Sequence, residues 1–189
     1  MDSSDEALFR DYMGGDERAF VRLLERYRNR VACLVRCRLG PSSLWAEDVA
    51  QDVFIQIHRS ARSFRGRSSF KTWLYAIAVN VCRDHLRRPG KTADSRAREA
   101  EADGSLTALP DESLDPLQRL EHDERSTLVR AAIERLTPSL RIVLRLRDGE
   151  DLTYDEIAHV LAVPVGTVRS RLHNARAALA KELLDCLER

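Results

Sequence analysis

The sequence predicts an all-α protein made of two small helical bundles joined by a flexible acidic linker. Apolar residues recur at steps of three and four in both end segments, which is the spacing of one helix face. Aromatic residues are only 6% of the 189 residues, with 8 glycines and 6 prolines, a composition that favours helices over sheets. Residues 92–117 lose the periodicity and hold too few apolar side chains to offset the entropy of ordering them. We therefore predict one domain over residues 1–91, a linker over 92–117 and a second domain over 118–189.

Glycine and proline mark the ends of four predicted helices in the N-terminal domain. These are a short helix over Asp5–Met13, a long helix capped by Asp16 and ending at Gly40-Pro41, a third capped by Ser43, and a fourth from Phe70 to Arg88. The apolar stripes of the last three contain Phe20, Leu23, Leu24, Tyr27, Val31, Leu34 and Val35; Val49, Val53, Phe54 and Ile57; and Phe70, Trp73, Leu74, Ile77, Ala78 and Val81. A polar, basic loop over residues 63–69 joins the third helix to the fourth.

Four further helices are predicted in the C-terminal domain. Thr153 lies three residues before Glu156, the spacing of a capping box, and a break over residues 162–166 leads into a last helix from Thr167. The second helix starts at Thr137-Pro138 and is stopped by Asp148-Gly149. The residues predicted to point inward from the first two helices are Leu120, Leu128, Ala131, Ile133 and Leu136, then Leu140, Val143, Leu144 and Leu146. The sequence has no strand pattern and no internal repeat.

Composition and the chain start argue against several classes of protein. The apolar run from Leu74 to Val79 is far shorter than the roughly 20 residues of a membrane-spanning helix. The first residues, MDSSDE, are acidic, whereas a secretory signal begins with a basic segment followed by an apolar one. Four cysteines are too few for a disulfide scaffold in a chain of this length. We therefore expect a cytoplasmic protein with no membrane contact of its own.

The charges nearly cancel, with 31 Lys and Arg against 30 Asp and Glu, but they are segregated along the chain. Residues 59–91 hold nine basic residues and one acidic residue, and residues 99–124 hold nine acidic residues and one basic residue. Residues 165–181 hold four basic residues and no acidic one. Blocks of one sign repel internally unless a partner compensates them, and nucleic acid is the commonest partner of basic blocks. The alternative is that they are ordinary solvated helix faces.

The end of the chain has the pattern of a helix-turn-helix, in which two short helices are joined by a turn of a few residues. If Val168, Leu172, Ala175 and Leu179 face the core, a polar set faces outward. That set is Thr167, Arg169, Ser170, Arg171, His173, Asn174 and Arg176. An α-helix fits the major groove of DNA, where Arg can bond guanine, Asn can bond adenine and other cations contact phosphate. The alternative is a bundle helix whose arginines only keep it soluble.

The basic loop and the fourth predicted helix combine cations with the aromatic rings of Phe64, Phe70, Trp73 and Tyr75. Proteins bind single-stranded DNA by stacking aromatic rings on unpaired bases while Lys and Arg hold the backbone. Phe70 and Trp73 also fit a hydrophobic core, which for Trp73 alone is the simpler interpretation. The polar residues of this helix do not fit a hydrophobic core in this way. They are Asn80, Arg83, Asp84, Arg87 and Arg88.

Three segments carry a more specific pattern: AEDVAQDVFIQIHR (46–59), SSFKTWLYAIAVNVCRDHLRR (68–88) and LTYDEIAHVLAVPVGTVRSRLHNAR (152–176). Together they resemble bacterial sigma factors of the extracytoplasmic-function (ECF) subgroup of the sigma-70 family. The resemblance covers nearly the whole chain apart from the linker. It implies two helical domains, sigma regions 2 and 4, in a protein that binds core RNA polymerase, directs it to specific promoters and helps to melt DNA. It also implies that the protein has no catalysis and no cofactor of its own.

The resemblance assigns roles to the N-terminal motifs. The helix over residues 46–59 is expected to dock on the clamp coiled coil of the polymerase largest subunit, through Asp48, Gln51, Asp52 and Phe54. The loop over 64–69 and the helix over 70–88 match the part that melts and reads the minus-ten promoter element, where the loop captures a base flipped from the non-template strand. The matching residues are Phe64, Arg65, Arg67, Ser69, Lys71, Trp73, Asn80, Arg83, Asp84, Arg87 and Arg88.

By the same resemblance, the last helix reads the minus-thirty-five element as duplex DNA through the outward-facing set named above. After RSRL the family often has an aromatic or aliphatic residue followed by Arg, whereas this chain has His173-Asn174. This difference affects promoter preference at the bases that His173 and Asn174 would contact. It should also slightly lower the salt dependence of DNA binding. Further implied partners are the flap of the second-largest polymerase subunit and an anti-sigma protein. For the linker two roles stay open, repulsion of DNA or a path along the RNA exit channel.

Two competing interpretations concern other chemistry. Cys33 and Cys37 lie one helical turn apart, as do Cys82 and His85, so a zinc site or a redox switch would require these helices to pack at one level. Buried small cysteines are the simpler interpretation, and we expect no metal.

An enzyme is the rival class, but the chain has no Gly-rich phosphate loop, no HExxH and no nucleophile elbow, and His122-Asp123 has no second such pair. The remaining rival is a helix-turn-helix regulator that acts without docking on core polymerase.

Overall fold

Four helices enclose the N-terminal core in the computed structural model, which describes residues 3–40, 43–87 and 127–187. They are α1 (Asp5–Met13), α2 (Glu17–Leu39), α3 (Ala46–Ser60) and α4 (Phe70–Arg87), with one 3-10 turn, Ala61–Ser63, after α3. The long helix α2 packs against the other three. Five of the seven residues of its predicted apolar stripe are buried, with Val31 and Leu34 in the same core cluster as Val53 of α3, while Phe20 and Leu24 are half-buried. The core therefore follows the periodicity of the sequence.

Local signals set most of the helix ends in this bundle. Asp16 caps α2 as predicted, because its side chain accepts a hydrogen bond from the backbone N–H of Arg18. Gly40, at φ +113°, ends α2 in a conformation that L side chains rarely adopt. The predicted cap at Ser43 is wrong: α3 begins at Ala46, and Ser43 contributes only its backbone carbonyl, to the N–H of Ala46. The chain makes a backbone turn there instead of a side-chain cap.

The C-terminal bundle contains four helices in the part that the structure describes. They are α5 (residues 127–135), α6 (Pro138–Leu144, continued by a π-helical turn over Arg145–Gly149), α7 (Tyr154–Leu161) and α8 (Val165–Leu187). The capping box at Thr153 and Glu156 is present as predicted. Ala162, at φ +53°, ends α7, and α8 starts at Val165, two residues before the predicted Thr167. The helix-turn-helix of α7 and α8 is therefore formed.

One predicted face is misplaced. Leu128 was expected inside but is 39% exposed, while Ala132 and Leu136 are buried. Helix α5 is apolar on several sides, so spacing alone does not say which side faces α6. Leu120 and the predicted linker lie outside the described residues. The described ranges contain no strand, so the all-α prediction is confirmed, and none of their helices is long and apolar enough to cross a bilayer.

The two bundles lie directly against each other. Helix α4 packs along α7, and α2 packs against α6, so that the buried residues of both bundles form one continuous cluster. The sequence predicted two bundles but gave no indication of this contact. It places α4, from Lys71 to Arg83, beside the helix-turn-helix.

Candidate nucleic-acid interface

Helix α8 presents the polar face that its sequence predicts. Val168, Leu172 and Ala175 are buried in the bundle core, which fixes the rotation of the helix. The outward set divides by exposure: Arg169, Ser170, His173, Asn174 and Arg176 are exposed, and Thr167 and Arg171 are half-buried. Leu179, predicted to face inward, is half-buried. The exposed residues occupy the N-terminal half of α8, the part of a recognition helix that reaches base edges.

Hydrogen bonds within the bundle orient two members of this face. The guanidinium Nη2 of Arg176 donates to Oδ1 of Asp148 at 3.0 Å, an exposed ion pair. The hydroxyl of Ser170 donates to the backbone carbonyl of Thr167 at 3.1 Å. An exposed ion pair is worth little, so phosphate can displace Asp148 from Arg176 at small cost.

The loop before α4 exposes two arginines around a glycine. Arg65 and Arg67 are exposed, and Gly66 between them has φ +66°, which a residue with a side chain would adopt only with strain. Phe64 anchors the loop, because its ring lies 5.1 Å from that of Phe9 and 5.0 Å from that of Trp73, centroid to centroid. The loop is therefore a cationic projection held by a packed aromatic base.

Helix α1 supplies the part of this base that sequence reasoning missed. The Phe9 ring lies 5.1 Å from that of Phe70, and Oε1 of Glu6 accepts a hydrogen bond from the Phe70 backbone N–H at 3.2 Å. Phe70 and Tyr75, which the sequence offered for stacking on bases, are 1% and 0% exposed and belong to the core. Helix α1 covers Phe70 through contacts between residues far apart in the sequence. The helical spacing of apolar residues does not reveal such contacts.

The polar positions of α4 divide into two groups. Asn80, Asp84 and Arg87 are exposed, while Arg88 lies outside the described residues. Ser69 accepts the backbone N–H of Thr72 at 3.1 Å, so that it serves the helix start. Lys71 and Arg83 are half-buried because both donate hydrogen bonds to the C-terminal bundle. Of the predicted minus-ten residues on α4, Lys71, Trp73 and Arg83 are therefore half-buried, and Asn80, Asp84 and Arg87 are exposed.

Helix α3 carries the predicted polymerase-docking residues on its outer side. Asp48, Gln51 and Asp52 are exposed, and Phe54 is half-buried against the core. Ile55 is 46% exposed within the same stretch and was not predicted. Acids beside an exposed aliphatic side chain form a surface suited to a basic, partly apolar partner.

The cysteines do not assemble the hypothetical zinc site. Among the described residues no three His, Cys, Asp or Glu side chains form a group that could hold a metal ion. Cys82 is fully buried, and burial raises its pKa to about 12. His85 packs against Trp45, with ring centroids 6.1 Å apart. Cys33 and Cys37 remain as a pair on α2, half-buried and buried respectively.

The two thiols of this pair have opposite pKa shifts. A hydrogen bond from Cys37 stabilises the Cys33 thiolate and lowers the pKa of Cys33 against the effect of burial, with help from the positive charges of Arg145 and Arg36. The same hydrogen bond, with burial, raises the pKa of Cys37. The hydrogen bond therefore favours the thiolate on Cys33, the more exposed sulfur of the pair, over a thiolate on Cys37.

We predict that Cys33 is alkylated by iodoacetamide at lower pH than an ordinary thiol, whose pKa is about 8.5. Below the lowered pKa both thiols are protonated and unreactive, and above it the Cys33 thiolate forms. Rates of Cys33 modification measured by peptide mass spectrometry across pH should show this. In the Cys37→Ala variant the profile should move to higher pH, and an unchanged profile would contradict the hydrogen bond as its cause.

The chain is similar over nearly its whole length to known proteins of one family. The model for Sigma-70 region 2 matches residues 23–92, and the model for Sigma-70 region 4 matches residues 126–179. The RNA polymerase sigma-H factor of Pseudomonas aeruginosa is 40% identical over 188 residues, covering 97% of this chain and 95% of that protein. The ECF RNA polymerase sigma-E factor of Escherichia coli K12 is 39% identical over 189 residues, covering 98% and 97%.

Solved structures share the fold. CnrH, in complex with the cytosolic domain of CnrY, superposes with a TM-score of 0.62 at 24% identity, covering 97% of this chain and 99% of that chain. The sigma factor RpoE of Bartonella quintana, in complex with the anti-sigma factor NepR, superposes with a TM-score of 0.63 at 24% identity, covering 88% and 96%. The arrangement of helices described above is therefore found in other proteins.

Proposed function

The chain belongs to the sigma-70 family, in its ECF subgroup, and directs RNA polymerase to promoters; from this premise we propose how its surfaces divide that work. The observation that carries the proposal is that two exposed cationic surfaces lie on different bundles of one chain. One is the loop over residues 64–69 with α4, and the other is the outer face of α8. The protein has no catalysis of its own and acts in the cytoplasm on core polymerase. Its functional domains extend over residues 1–91 and 118–189.

The face of α8 binds the minus-thirty-five element in the major groove. Arg169, exposed near the start of the helix, contacts a base edge or an adjacent phosphate. Asn174 stands where the family often has arginine and favours adenine there. Arg176 contacts phosphate after leaving Asp148. The contacts are polar and exposed before binding, so little rearrangement of the bundle is needed.

The loop and α4 bind the minus-ten element as it opens. Extruding a base costs a few kcal/mol. Contacts from Arg65 and Arg67 to phosphates, each contributing about 1.5–3 kcal/mol, can offset that cost. The half-buried ring of Phe64 and its neighbour Trp73 form the floor on which the flipped base rests. Asn80 and Arg87, exposed further along α4, hold the flanking duplex.

Helix α3 docks on the clamp coiled coil of the polymerase largest subunit, through Asp48, Gln51, Asp52 and Phe54. The C-terminal bundle contacts the flap of the second-largest subunit. An anti-sigma protein restrains the chain by covering these docking faces; the similarly folded RpoE is itself in complex with the anti-sigma factor NepR. The exposed acids and Ile55 of α3 support the docking assignment.

Run-off transcription with purified core polymerase on a genomic promoter library tests the proposal. We expect promoter-dependent transcripts from the wild type and loss of core binding in the Asp52→Arg variant. Glu25→Arg, a charge reversal at an exposed position of α2, is the matched control and should retain binding. No stimulation of core polymerase, with DNA binding retained, would favour a helix-turn-helix regulator that does not dock.

A further inference from the structure

Helix α1 contacts both ends of the loop over residues 64–69. At the first end, the ring of Phe9 lies 5.1 Å from that of Phe64, centroid to centroid. At the other end, the Phe9 ring lies 5.1 Å from that of Phe70. There Oε1 of Glu6 also accepts a hydrogen bond from the backbone N–H of Phe70 at 3.2 Å. The exposed tip of the loop therefore projects between two ends that are joined to the same helix.

The hydrogen bond to Glu6 satisfies a backbone group at the start of α4. The first four N–H groups of an α-helix have no acceptor within the helix. Ser69 is a local acceptor, because its hydroxyl oxygen accepts the N–H of Thr72 at 3.1 Å. Glu6 is the acceptor for the N–H of Phe70, although it lies 64 residues away in the chain. A carboxylate at this position also interacts favourably with the helix dipole. Helix α1 thus fixes the point where the loop ends and α4 begins.

Helix α1 is itself anchored on both sides of Glu6. The carboxylate of Asp5 accepts hydrogen bonds from the guanidinium of Arg26 and the hydroxyl of Tyr27, both on α2. Leu8 and Phe9 are 2% and 5% exposed and belong to the core of the N-terminal bundle. A shift of α1 would break these contacts. The helix can therefore act as a fixed support for the loop.

The loop needs such a support if it is to capture a base efficiently. Gly66, at φ +66°, gives the middle of the loop a residue with wide conformational freedom, so its order depends on what holds its ends. A binding loop that is ordered before its ligand arrives loses less conformational entropy on binding. The Phe9 ring also lies 5.7 Å from that of Trp73, so it contacts both rings of the floor proposed for the flipped base.

We propose that Glu6 and Phe9 are positioning residues for base capture, which hold the two ends of the loop over residues 64–69 in place before the minus-ten strand binds. The inference rests on the proposed function, because that function assigns the loop to the minus-ten element. Both residues act through others: Glu6 through the backbone of Phe70, and Phe9 through the ring of Phe64. Glu6 is also an acid close to a DNA-binding loop, and its charge alone would weaken DNA binding. Positioning and charge therefore predict opposite effects of removing it.

Variants of Glu6 test the proposal, because Glu6 is exposed and its truncation leaves the core intact. With the full-length protein bound to core polymerase, we measure affinity for a single-stranded non-template oligonucleotide that contains the minus-ten element. We expect E6A to bind it about tenfold more weakly than the wild type, which corresponds to about 1.4 kcal/mol. E6Q should stay within about twofold of the wild type, because its amide oxygen can still accept the Phe70 N–H. Affinities for core polymerase and for the minus-thirty-five duplex should not change in either variant.

The matched control is D11A, which removes one carboxylate from another exposed position of α1. It should bind the oligonucleotide within about twofold of the wild type. Equal affinities of E6A and D11A would overturn the proposal. So would an E6Q variant as weak as E6A, because the hydrogen bond would then not be the cause. A parallel loss of affinity for core polymerase in E6A would show that Glu6 supports only the folded bundle, and would also overturn it.

Hydrogen exchange of the Phe70 amide, followed by NMR in the free full-length protein, gives a readout that needs no DNA. Exchange should be faster in E6A than in the wild type, and unchanged in D11A. If the wild type binds the oligonucleotide and E6A changes neither exchange nor affinity, the positioning role alone is refuted. If exchange is faster in E6A but the wild type does not bind the oligonucleotide, the proposed function is refuted, while the hold of α1 on the loop is supported.

Discussion

Replacing Arg169 by alanine is expected to weaken binding of the minus-thirty-five duplex by about 10- to 100-fold. A hydrogen bond from a charged group contributes about 1.5–3 kcal/mol, and each 1.4 kcal/mol is a factor of ten in affinity. Arg169 is exposed on α8 between the buried residues Val168 and Leu172, so truncating it leaves the core intact. The measurement is the affinity of the polymerase-bound protein for promoter duplex at one fixed salt concentration, since phosphate contacts depend strongly on salt.

Lys181→Ala provides the control for this prediction. Lys181 is exposed on the same helix, three turns beyond Arg169, and its removal changes the net charge by the same amount. We expect its effect to stay within about twofold, as for a charge outside the recognition surface. Equal losses in the two variants would mean that α8 attracts DNA only through its overall charge, and the recognition-helix assignment would then be wrong.

The outward face of α8 could be predicted because the information is local. Val168, Leu172 and Ala175 recur at helical spacing, and the polar residues between them can only face away from the core. The capping box of α7 is equally local, since Thr153 and Glu156 satisfy each other's backbone groups within one turn. Such elements depend on residues three or four apart, which the sequence shows directly.

The contacts that the sequence did not reveal are long-range. Glu156 is recognisable as a cap, but its second partner, Thr72, is 84 residues away. Glu150 follows a glycine in a short loop, where an acid is usually solvated, yet it is 3% exposed because α2 and α6 close over it. Charge counting along the chain separated the basic and acidic blocks but could not pair individual charges across the two bundles.

The aromatic residues show the same limit in the N-terminal bundle. Cations near Phe64, Phe70, Trp73 and Tyr75 suggested rings available to stack on bases. Whether a ring is exposed depends on what covers it, and α1 covers Phe70 through Phe9. Phe64 and Trp73 keep part of their surface, so only these two remain available to a base.

Phe70→Ala is therefore expected to destabilise the N-terminal bundle by about 3–5 kcal/mol, the range for removing a buried phenylalanine ring. Phe70 is 1% exposed, and its ring lies 5.1 Å from that of Phe9, 5.8 Å from that of Tyr27 and 5.9 Å from that of Trp73. Alanine would leave a cavity beneath the loop over residues 64–69. Urea unfolding followed by tryptophan fluorescence reports on this bundle, because both tryptophans, Trp45 and Trp73, belong to it.

Leu86→Ala is the control, since Leu86 is 40% exposed on the same helix and should change the free energy of unfolding by less than about 0.5 kcal/mol. If Phe70 instead stacked on a flipped base, the Phe70→Ala variant would keep the free energy of unfolding of the wild type. It would lose only affinity for single-stranded minus-ten DNA. That outcome would contradict the packed aromatic base, because a ring cannot support the loop from the core and lie against DNA in the same conformation. If the cavity lets the loop over residues 64–69 move, the variant should lose both stability and affinity for DNA. The reason is that Phe64, which contacts Phe70, holds Arg65 and Arg67 in place.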